Sequence, residues 1–245
     1  MNFYTHKHYE HILSTALKKN WKFKYFKFSE FQKKNLKTCF LRHDCDHNLV
    51  AAKSLSEIEN KLGVKSTYFL RLDAPLYNLF CSEQQNLVNQ IIDKGHLIGL
   101  HYTYNYKKGQ RWNNENIKFY LDYLKKKFKK ITPVISIHQP NNDILLNKIT
   151  FKYNHTYEKK VFGNFTYRSD SNLRMINDGC ITEYFKIESQ TLQLLIHPEW
   201  WTKEITDPLQ KWTKMYEDNL NLLQQNLLRT EKLYKKKLKI KILEK

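Results

Sequence analysis

The chain has little glycine and proline. Its 245 residues include 6 glycines and 5 prolines, too few for a collagen-like, linker-like or low-complexity sequence. It also lacks an apolar run of the roughly 18 residues that a membrane-spanning helix needs. Aromatic residues, in contrast, make up 14% of the chain, which is enough to build a sizeable core. The sequence therefore predicts a folded globular protein.

Cysteine is scarce and irregularly spaced. The four cysteines (Cys39, Cys45, Cys81 and Cys180) form no Cys-x-x-Cys pair and no disulfide framework. The first residues lack the apolar segment and the small-residue cleavage site of a secretion signal. Cysteines of this kind are usually reduced thiols in the cytosol, so we predict a cytoplasmic protein.

Acidic residues and arginine are few compared with lysine. The 42 basic residues against 24 acidic ones give a formal charge of +18, which would suit a polyanionic partner. However, 6 of the 42 are arginine, the residue that makes bidentate contacts with phosphates and base edges. The chain also has no recognisable nucleic-acid module or zinc-finger spacing. We predict no nucleic-acid partner and attribute most of the charge to compositional drift toward lysine.

The chain alternates between strand-like and helix-like segments. β-branched and aromatic residues predict strands at 38–44, 65–70, 96–101, 134–138, 165–168, 182–187 and 192–197. Apolar residues at helical spacing predict helices at 49–62, 84–94 and 115–130. This repeated order of strand and helix predicts a parallel sheet covered by helices.

The chain shows no internal repeat and no clear linker. We predict a single domain over 1–245, with its core at about 36–205. A C-terminal extension at about 206–245 would contain a long amphipathic helix from 208 to about 234 and a basic tail at 235–245. The tail could contact an anionic membrane surface peripherally, or it could be the solvated end of a helix.

Polar side chains stand where four of the predicted strands end. They are Asp44 with Asp46, His101, His138 and His197. The active sites of parallel α/β folds are assembled at the carboxyl ends of the strands. One histidine in such a position is usually a core residue, but four strand ends of this kind favour a functional site.

The first of these strand ends reads Arg-His-Asp-Cys-Asp over 42–46. In an extended segment, the period of two places Asp44 and Asp46 on one face and Cys45 on the other. Two neighbouring carboxylates need a cation, a shared proton or an arginine, which suits a metal ligand beside a general base. An aspartate at a strand-to-helix junction also commonly caps the helix, so both interpretations remain open.

The other strand ends contain histidines. His96 and His101 are five residues apart and would face opposite sides of a strand. We therefore expect His101, at the exit end, to bind a metal and His96 to support the core. His197 ends an apolar run and is followed closely by Trp200 and Trp201, which suits a sugar platform or, equally, a packed strand end.

Six segments together resemble the polysaccharide deacetylase family, which is also called the NodB-homology family or carbohydrate esterase family four. They are Arg42–Asp46 (RHDCD), Lys65–Phe69 (KSTYF), Gly95–Tyr102 (GHLIGLHY), Ser136–Pro140 (SIHQP), Tyr167–Ser171 (YRSDS) and Leu194–Trp201 (LLIHPEWW). They follow the order of the family over about two thirds of the chain. The first segment resembles the branch with an Arg-His-Asp-x-Asp motif, which is linked to surface-polysaccharide biosynthesis.

The resemblance implies a distorted (β/α) barrel of about seven parallel strands, NodB-like, with a C-terminal helical extension. It also implies a divalent metal, usually zinc, and a hydrolase that removes N-acetyl groups from amino sugars by cleaving a C–N bond. Combined with the cytoplasmic prediction, it suggests a nucleotide- or lipid-linked precursor of a surface glycan as substrate.

By motif position, the resemblance implies a role for each residue. Asp44 would be the general base and His197 the general acid, with Asp170 tuning that histidine. Asp46 and His101 would be metal ligands. We further expect Arg42 to orient Asp44, and we expect substrate contacts from Tyr102, Trp200 and Trp201.

The chain departs from the family at two positions. Asn105 stands where the second metal-binding histidine is usual, four residues after His101, and asparagine is a poor zinc ligand. Gln139 stands where an arginine is common. Our hypothesis is that His138, at the adjacent strand end, supplies the missing nitrogen. The alternatives are a metal-independent relative that acts on another C–N bond and a catalytically silent carbohydrate-binding protein.

Overall fold

A computed structural model describes residues 4–31, 36–159, 163, 165–172, 181–186, 191–204, 207–234 and 236. The chain forms two compact units, Met1–Ile205 and Thr206–Lys245. The first unit contains the sheet and the second contains one long helix. Cys180 and, apart from residue 236, the basic tail at 235–245 lie outside the described residues. The division into a core and a C-terminal extension of a single domain stays a prediction.

The first unit is built on a sheet of seven strands. They are β1 (Lys22–Lys24), β2 (Thr38–Cys45), β3 (Thr67–Leu70), β4 (Leu97–Thr103), β5 (Ile131–His138), β6 (Thr166–Ser169) and β7 (Thr191–Ile196). Their order is β5-β4-β3-β2-β7-β6, with β1 paired to the start of β2. All of these pairs are parallel, so the predicted parallel α/β fold is confirmed.

Helices connect the strands. They are α1 (His6–Lys18), α2 (Phe28–Phe31), α3 (Leu49–Lys61), α4 (Ser82–Asp93), α5 (Gly109–Lys127), α6 (Asn142–Leu145) and, in the second unit, α7 (Pro208–Thr230). Two 3-10 helices cover Ile181–Lys186 and Pro198–Trp200. Asn48 caps α3 by accepting the backbone N–H groups of Val50 and Ala51. Among the described helices, none has the length and apolar character that a bilayer crossing needs.

The sheet curls around a cluster of phenylalanines. Phe26, Phe40, Phe69 and Val134 are fully buried and pack together. Phe165, just before β6, stacks on Phe40 with 5.3 Å between the ring centroids. Val134 of β5 and Phe165, just before β6, therefore meet in one interior cluster, although β5 and β6 are the two ends of the strand order. This closure gives the barrel-like α/β fold that the motif resemblance implies.

Gly99 on β4 leaves room for this interior cluster. A Cβ atom on Gly99 would lie 2.5 Å from the ring carbons Cδ1 and Cε1 of Phe69, well inside van der Waals contact. The Phe69 ring is fully buried, so it could move away only by displacing the side chains packed against it. The glycine in the centre of the GHLIGLHY segment is thus required by packing inside the barrel.

The side chains on the two faces of β2 pack in two different clusters. Cys39 and Leu41 pack in an apolar cluster with residues of α1, including Ile12, whereas Phe40 belongs to the interior cluster. All eight residues of β2 are buried. The alternation of side chains along the strand therefore sends the odd-numbered residues toward the helices and the even-numbered ones into the barrel.

A buried carboxylate anchors α3 to the sheet. Glu59 is fully buried and accepts hydrogen bonds from four side chains, those of Tyr9, His43, Ser66 and Tyr68. Its carboxylate oxygens lie 2.6 Å from His43 Nε2 and 2.6 Å from Ser66 Oγ. Burial raises the pKa of Glu59, but the attraction of His43 outweighs it and lowers the pKa to about 2. His43 directly precedes Asp44, so this network fixes the strand segment that holds both aspartates.

The strand predicted at 182–187 is wrong. The described part of this segment is a 3-10 helix, Ile181–Lys186, in which Ile181, Thr182 and Phe185 are buried. Burial at positions i, i+1 and i+4 follows a helical period rather than the alternation of a strand. The Phe185 ring packs edge-on against Trp21, with 5.2 Å between centroids. This tertiary contact overrides the β-propensity of the segment.

We expect Glu59→Gln to lower the free energy of unfolding by about 3 kcal/mol at neutral pH. The pKa of Glu59 falls from 4.5 to about 2 on folding, and each pKa unit corresponds to about 1.4 kcal/mol. Because the folded value is the lower one, this stabilisation is complete above about pH 4.5 and is lost as the pH falls toward 2. Urea unfolding at neutral pH and at about pH 3 measures both effects.

The matched control is Glu57→Gln, since Glu57 lies on the exposed side of the same helix. Its substitution is expected to change the unfolding free energy by less than about 1 kcal/mol. Equal losses for Glu57→Gln and Glu59→Gln would show that the buried network contributes nothing specific.

Candidate active site

Asp44 and Asp46 lie on the same side of the chain at the end of β2. His101 Nε2 is 3.8 Å from Asp44 Oδ2 and 3.1 Å from Asp46 Oδ1. Cys45, between them, packs in an apolar cluster on the opposite side. The period of two predicted this arrangement, and the prediction is confirmed.

Three donor atoms converge at Asp46. Its Oδ1 atom lies 3.1 Å from both His101 Nε2 and His138 Nδ1, and these two nitrogens are 3.2 Å apart. Zinc bonds of about 2.0–2.1 Å in a tetrahedral site place neighbouring ligand atoms about 3.3 Å apart. The triangle of donors therefore has the size of one face of a zinc tetrahedron.

The pairing of β4 with β5 places both histidines. His101 is in register with Ser136, and Thr103 is in register with His138. His101 Nδ1 donates a hydrogen bond to the Ser136 carbonyl oxygen at 3.1 Å, because a carbonyl can only accept. In the neutral ring the lone pair then lies on Nε2, which faces Asp46. Metal-binding histidines are commonly oriented by such a contact.

The charge of Asp46 also suits a cation. Burial raises its pKa, but the two imidazoles of His101 and His138 beside it outweigh this and hold the pKa well below its ordinary value. Oδ1 is buried, and no described donor meets it with good hydrogen-bond geometry. A buried carboxylate oxygen without a well-aligned donor is costly. Asp46, His101 and His138 therefore fit a divalent cation.

Asn105 is not among these donors. Its side-chain oxygen accepts the backbone N–H of Lys107 at 3.1 Å in a local turn, and its own N–H donates to Asn113 Oδ1. His138 instead reaches His101 and Asp46. This geometry supports the hypothesis that His138 supplies the missing nitrogen, and its role as a ligand stays a prediction.

Asp44 is held by Arg42 inside the barrel. Asp44 Oδ2 accepts hydrogen bonds from Ser136 Oγ at 3.0 Å and from Arg42 Nη2 at 3.3 Å. The same Arg42 nitrogen donates to the Tyr157 hydroxyl at 2.8 Å. Burial lowers the pKa of Arg42, but the charge of Asp44 outweighs it and raises the pKa further. The contact supports the orienting role expected of Arg42.

Asp170 holds His197 in one orientation. His197 Nδ1 donates to Asp170 Oδ1 at 2.6 Å, and the backbone N–H of His197 contacts both carboxylate oxygens. Burial lowers the pKa of His197, but the charge of Asp170 and its hydrogen bond outweigh this and raise the pKa to about 10. The imidazole is therefore protonated at neutral pH. Its Nε2 atom faces Asp46 Oδ2 at 3.9 Å.

Two aromatic residues that were expected to contact substrate, Trp201 and Tyr102, are buried in this structure, and their contact with substrate stays a prediction. Trp201 is 1% exposed and donates its indole N–H to Asp170 Oδ2 at 2.9 Å, so it supports the Asp170–His197 pair. Tyr102 is also 1% exposed and donates to Asn113 Oδ1 at 2.7 Å. Neither ring has a face open to a sugar. Trp200 is half-buried, and its contact with substrate stays a prediction.

Three residues near the site were missed by the sequence analysis. His47 and Glu199 bring donor atoms within 4.8 Å of one another and of Asp46, and Arg71 Nη1 lies 3.3 Å from His138 Nε2. Burial, followed by the charge of Asp46, raises the pKa of Glu199 to about 8. Arg71 follows β3 directly, so the rule about strand ends that identified the histidines would have found it.

Comparison with known proteins gives weak structural likenesses. A chitin deacetylase from the fungal pathogen Colletotrichum lindemuthianum is 11% identical, with a TM-score of 0.43 over 74% of this chain and 81% of its own. A family 4 carbohydrate esterase from Bacillus anthracis is 13% identical, with a TM-score of 0.43 over 87% and 86%. A peptidoglycan deacetylase from Bacillus subtilis is 13% identical, with a TM-score of 0.40 over 78% and 98%.

No family model matches the chain, and no curated protein matches it. At identities of 11–13% and TM-scores of 0.40–0.43, we draw no functional conclusion from the three structures.

We expect Asp170→Asn to lower the pKa of His197 from about 10 to its ordinary value of 6.5 or below. The variant removes the charge that raises the pKa and leaves the burial that lowers it. At about pH 8 the ring would be protonated in the wild type and neutral in the variant. Histidine ¹H–¹⁵N spectra of the metal-free proteins, recorded against pH, measure both values.

Ser171→Ala is the control, because Ser171 hydrogen bonds to Ser169 and not to the histidine. An unchanged pKa of His197 in Asp170→Asn would show that another group sets its protonation.

Proposed function

We propose that the chain is a metal-dependent deacetylase that hydrolyses the N-acetyl group of an amino sugar. The observation that carries the proposal is the meeting of Asp46, His101 and His138 donor atoms at 3.1–3.2 Å. Two charged pairs flank this triangle. Asp44, with Arg42, reaches within 3.8 Å of His101, and His197, with Asp170, reaches within 3.9 Å of Asp46.

The proposed cofactor is zinc. Two imidazole nitrogens and one carboxylate oxygen are a common zinc ligand set that leaves a position open. When bound, the ion supplies Lewis-acid polarisation of the amide carbonyl and lowers the pKa of water.

Asp44 is the proposed general base. Its Oδ2 atom is engaged by Arg42 and Ser136, whereas Oδ1 is buried with no hydrogen-bond partner among the described residues. Oδ1 is therefore the atom that can accept a proton from the attacking water. Arg42 keeps its charge and so keeps the carboxylate turned in this direction.

His197 is the proposed general acid. Asp170 accepts the Nδ1 proton at 2.6 Å, which leaves the second proton of the imidazolium on Nε2. That atom faces the site and can protonate the nitrogen of the scissile amide, so that it leaves as an amine.

The substrate class follows from the motif resemblance rather than from contacts in the site. We propose a nucleotide- or lipid-linked amino sugar used in a surface glycan, deacetylated in the cytoplasm or at the inner membrane face. The free thiols of Cys39, Cys45 and Cys81 fit a reducing compartment.

We expect the wild-type protein to hold one zinc ion per chain and the variants Asp46→Asn, His101→Ala and His138→Ala to lose it. Each substitution removes one of three converging donor atoms, which is expected to lower zinc affinity at least tenfold. Elemental analysis after purification without chelator or nickel resin gives the metal content.

Asn105→Ala is the matched control and should retain zinc, because the Asn105 side chain serves a local turn. Full zinc occupancy in His138→Ala would refute the hypothesis that His138 supplies the missing metal-binding nitrogen. A wild type that stays metal-free after zinc is added back would favour the metal-independent or silent alternatives.

We expect Asp44→Asn and His197→Gln to lower kcat for acetate release by about 10²–10⁴-fold while zinc content is unchanged. These variants remove proton transfer but leave the three donor atoms in place. Acetate release from free, nucleotide-linked and lipid-linked N-acetylhexosamines measures the effect. Loss of zinc in either variant, or unchanged kcat, would contradict the assigned roles.

A further inference from the structure

Arg71 contacts the outer nitrogen of His138. Its Nη1 atom lies 3.3 Å from His138 Nε2, and a guanidinium can only donate hydrogen bonds. His138 Nε2 must therefore accept. In a neutral imidazole one nitrogen accepts and the other carries the proton, so this contact places the proton of His138 on Nδ1.

That proton lies among the candidate metal ligands. His138 Nδ1 is 3.2 Å from His101 Nε2, and His101 Nδ1 donates to the Ser136 carbonyl oxygen. Three hydrogen bonds thus run in one direction, from Arg71 to His138, from His138 to His101, and from His101 to Ser136. Every ring nitrogen of the two histidines has a defined role in this chain.

A cation at His138 Nδ1 takes the place of this proton. Metal-binding imidazole is neutral, so the remaining proton moves to Nε2. An N–H of His138 and an N–H of Arg71 would then face each other at 3.3 Å, and two donors cannot form a hydrogen bond. The terminal guanidinium nitrogens must turn away.

We propose that Arg71 is a positioning residue that acts through His138. In the metal-free protein it stabilises the Nδ1–H tautomer of His138 by donating a hydrogen bond to Nε2. This hydrogen bond breaks when a cation binds to Nδ1. The inference rests on the proposed metal site. It predicts that the hydrogen bond from Arg71 opposes metal uptake and that uptake leaves an arginine N–H beside the site, where a substrate oxygen can accept it.

Two other contacts of Arg71 involve its Nε atom and its backbone rather than its terminal Nη groups. Its Nε atom donates to Asp73 Oδ1 at 3.2 Å, and its backbone N–H donates to the Tyr77 hydroxyl at 2.8 Å. These contacts hold the backbone and the near side of the guanidinium. The side chain is 11% exposed, and the proposal requires the Nη groups to rotate toward this exposed part when the contact with His138 breaks.

The experiment compares zinc affinity in the wild type, Arg71→Gln and Arg111→Gln by competition with a chromophoric chelator. We expect Arg71→Gln to bind zinc about tenfold more tightly, which corresponds to the loss of one opposing hydrogen bond. Arg111→Gln removes the same charge from a side chain that is 94% exposed and should leave the affinity unchanged.

Histidine ¹H–¹⁵N spectra test the same inference without any variant. The metal-free wild type should show His138 as the Nδ1–H tautomer, and zinc should convert it to the Nε2–H tautomer. An Nε2–H tautomer in the metal-free wild type overturns the inference, as does equal zinc affinity in Arg71→Gln and Arg111→Gln. Zinc binding to none of the three proteins overturns the proposed function as well, so the two failures are distinguishable.

Discussion

The burial of carboxylates is the constraint on which the site depends. Among the described residues, five carboxyl side chains are nine-tenths or more buried, namely Asp44, Asp46, Glu59, Asp170 and Glu199. A buried carboxylate is tolerated when a charge or a set of donors compensates it. Glu59 has His43, Asp44 has Arg42, and Asp170 has His197. Asp46 faces two imidazoles, and no donor among the described residues is well aligned with its Oδ1 atom, which is why we propose the metal site there.

The fold was predictable where alternation and helical spacing were strong. The strands now seen as β2, β3, β4, β5, β6 and β7 were all expected within three residues of their observed ends. The strand predicted at 182–187 failed because the contact between Phe185 and Trp21 joins residues far apart in sequence. Helix α1 was missed although Tyr9, Ile12, Leu13 and Ala16 form a buried stripe at helical spacing. The many polar residues of α1 made the helical spacing of these apolar residues hard to recognise in the sequence.

The site was predictable in outline, because parallel strands bring their carboxyl ends to one edge of the sheet. That rule alone brings together Asp46, His101 and His138. The rule about strand ends does not predict which way an aromatic ring points. Nor does it predict whether a neighbouring side chain is buried. Trp201 was expected to face a sugar and instead donates its N–H to Asp170. The proton positions in the site depend on such contacts, which exist only after folding.

The interior phenylalanines affect the side from which molecules can reach the polar residues of the barrel. Along β2 the residue Phe40 precedes Arg42 and Asp44, and along β5 the residue Val134 precedes Ser136 and His138, so the cluster lies on the amino side of the polar residues. Its members are fully buried, and Gly99 allows the ring of Phe69 to fill the space tightly. Among the described residues, this cluster therefore fills the amino side of the interior. We expect a molecule that reacts at the polar residues to enter and leave on the carboxyl side of the strands.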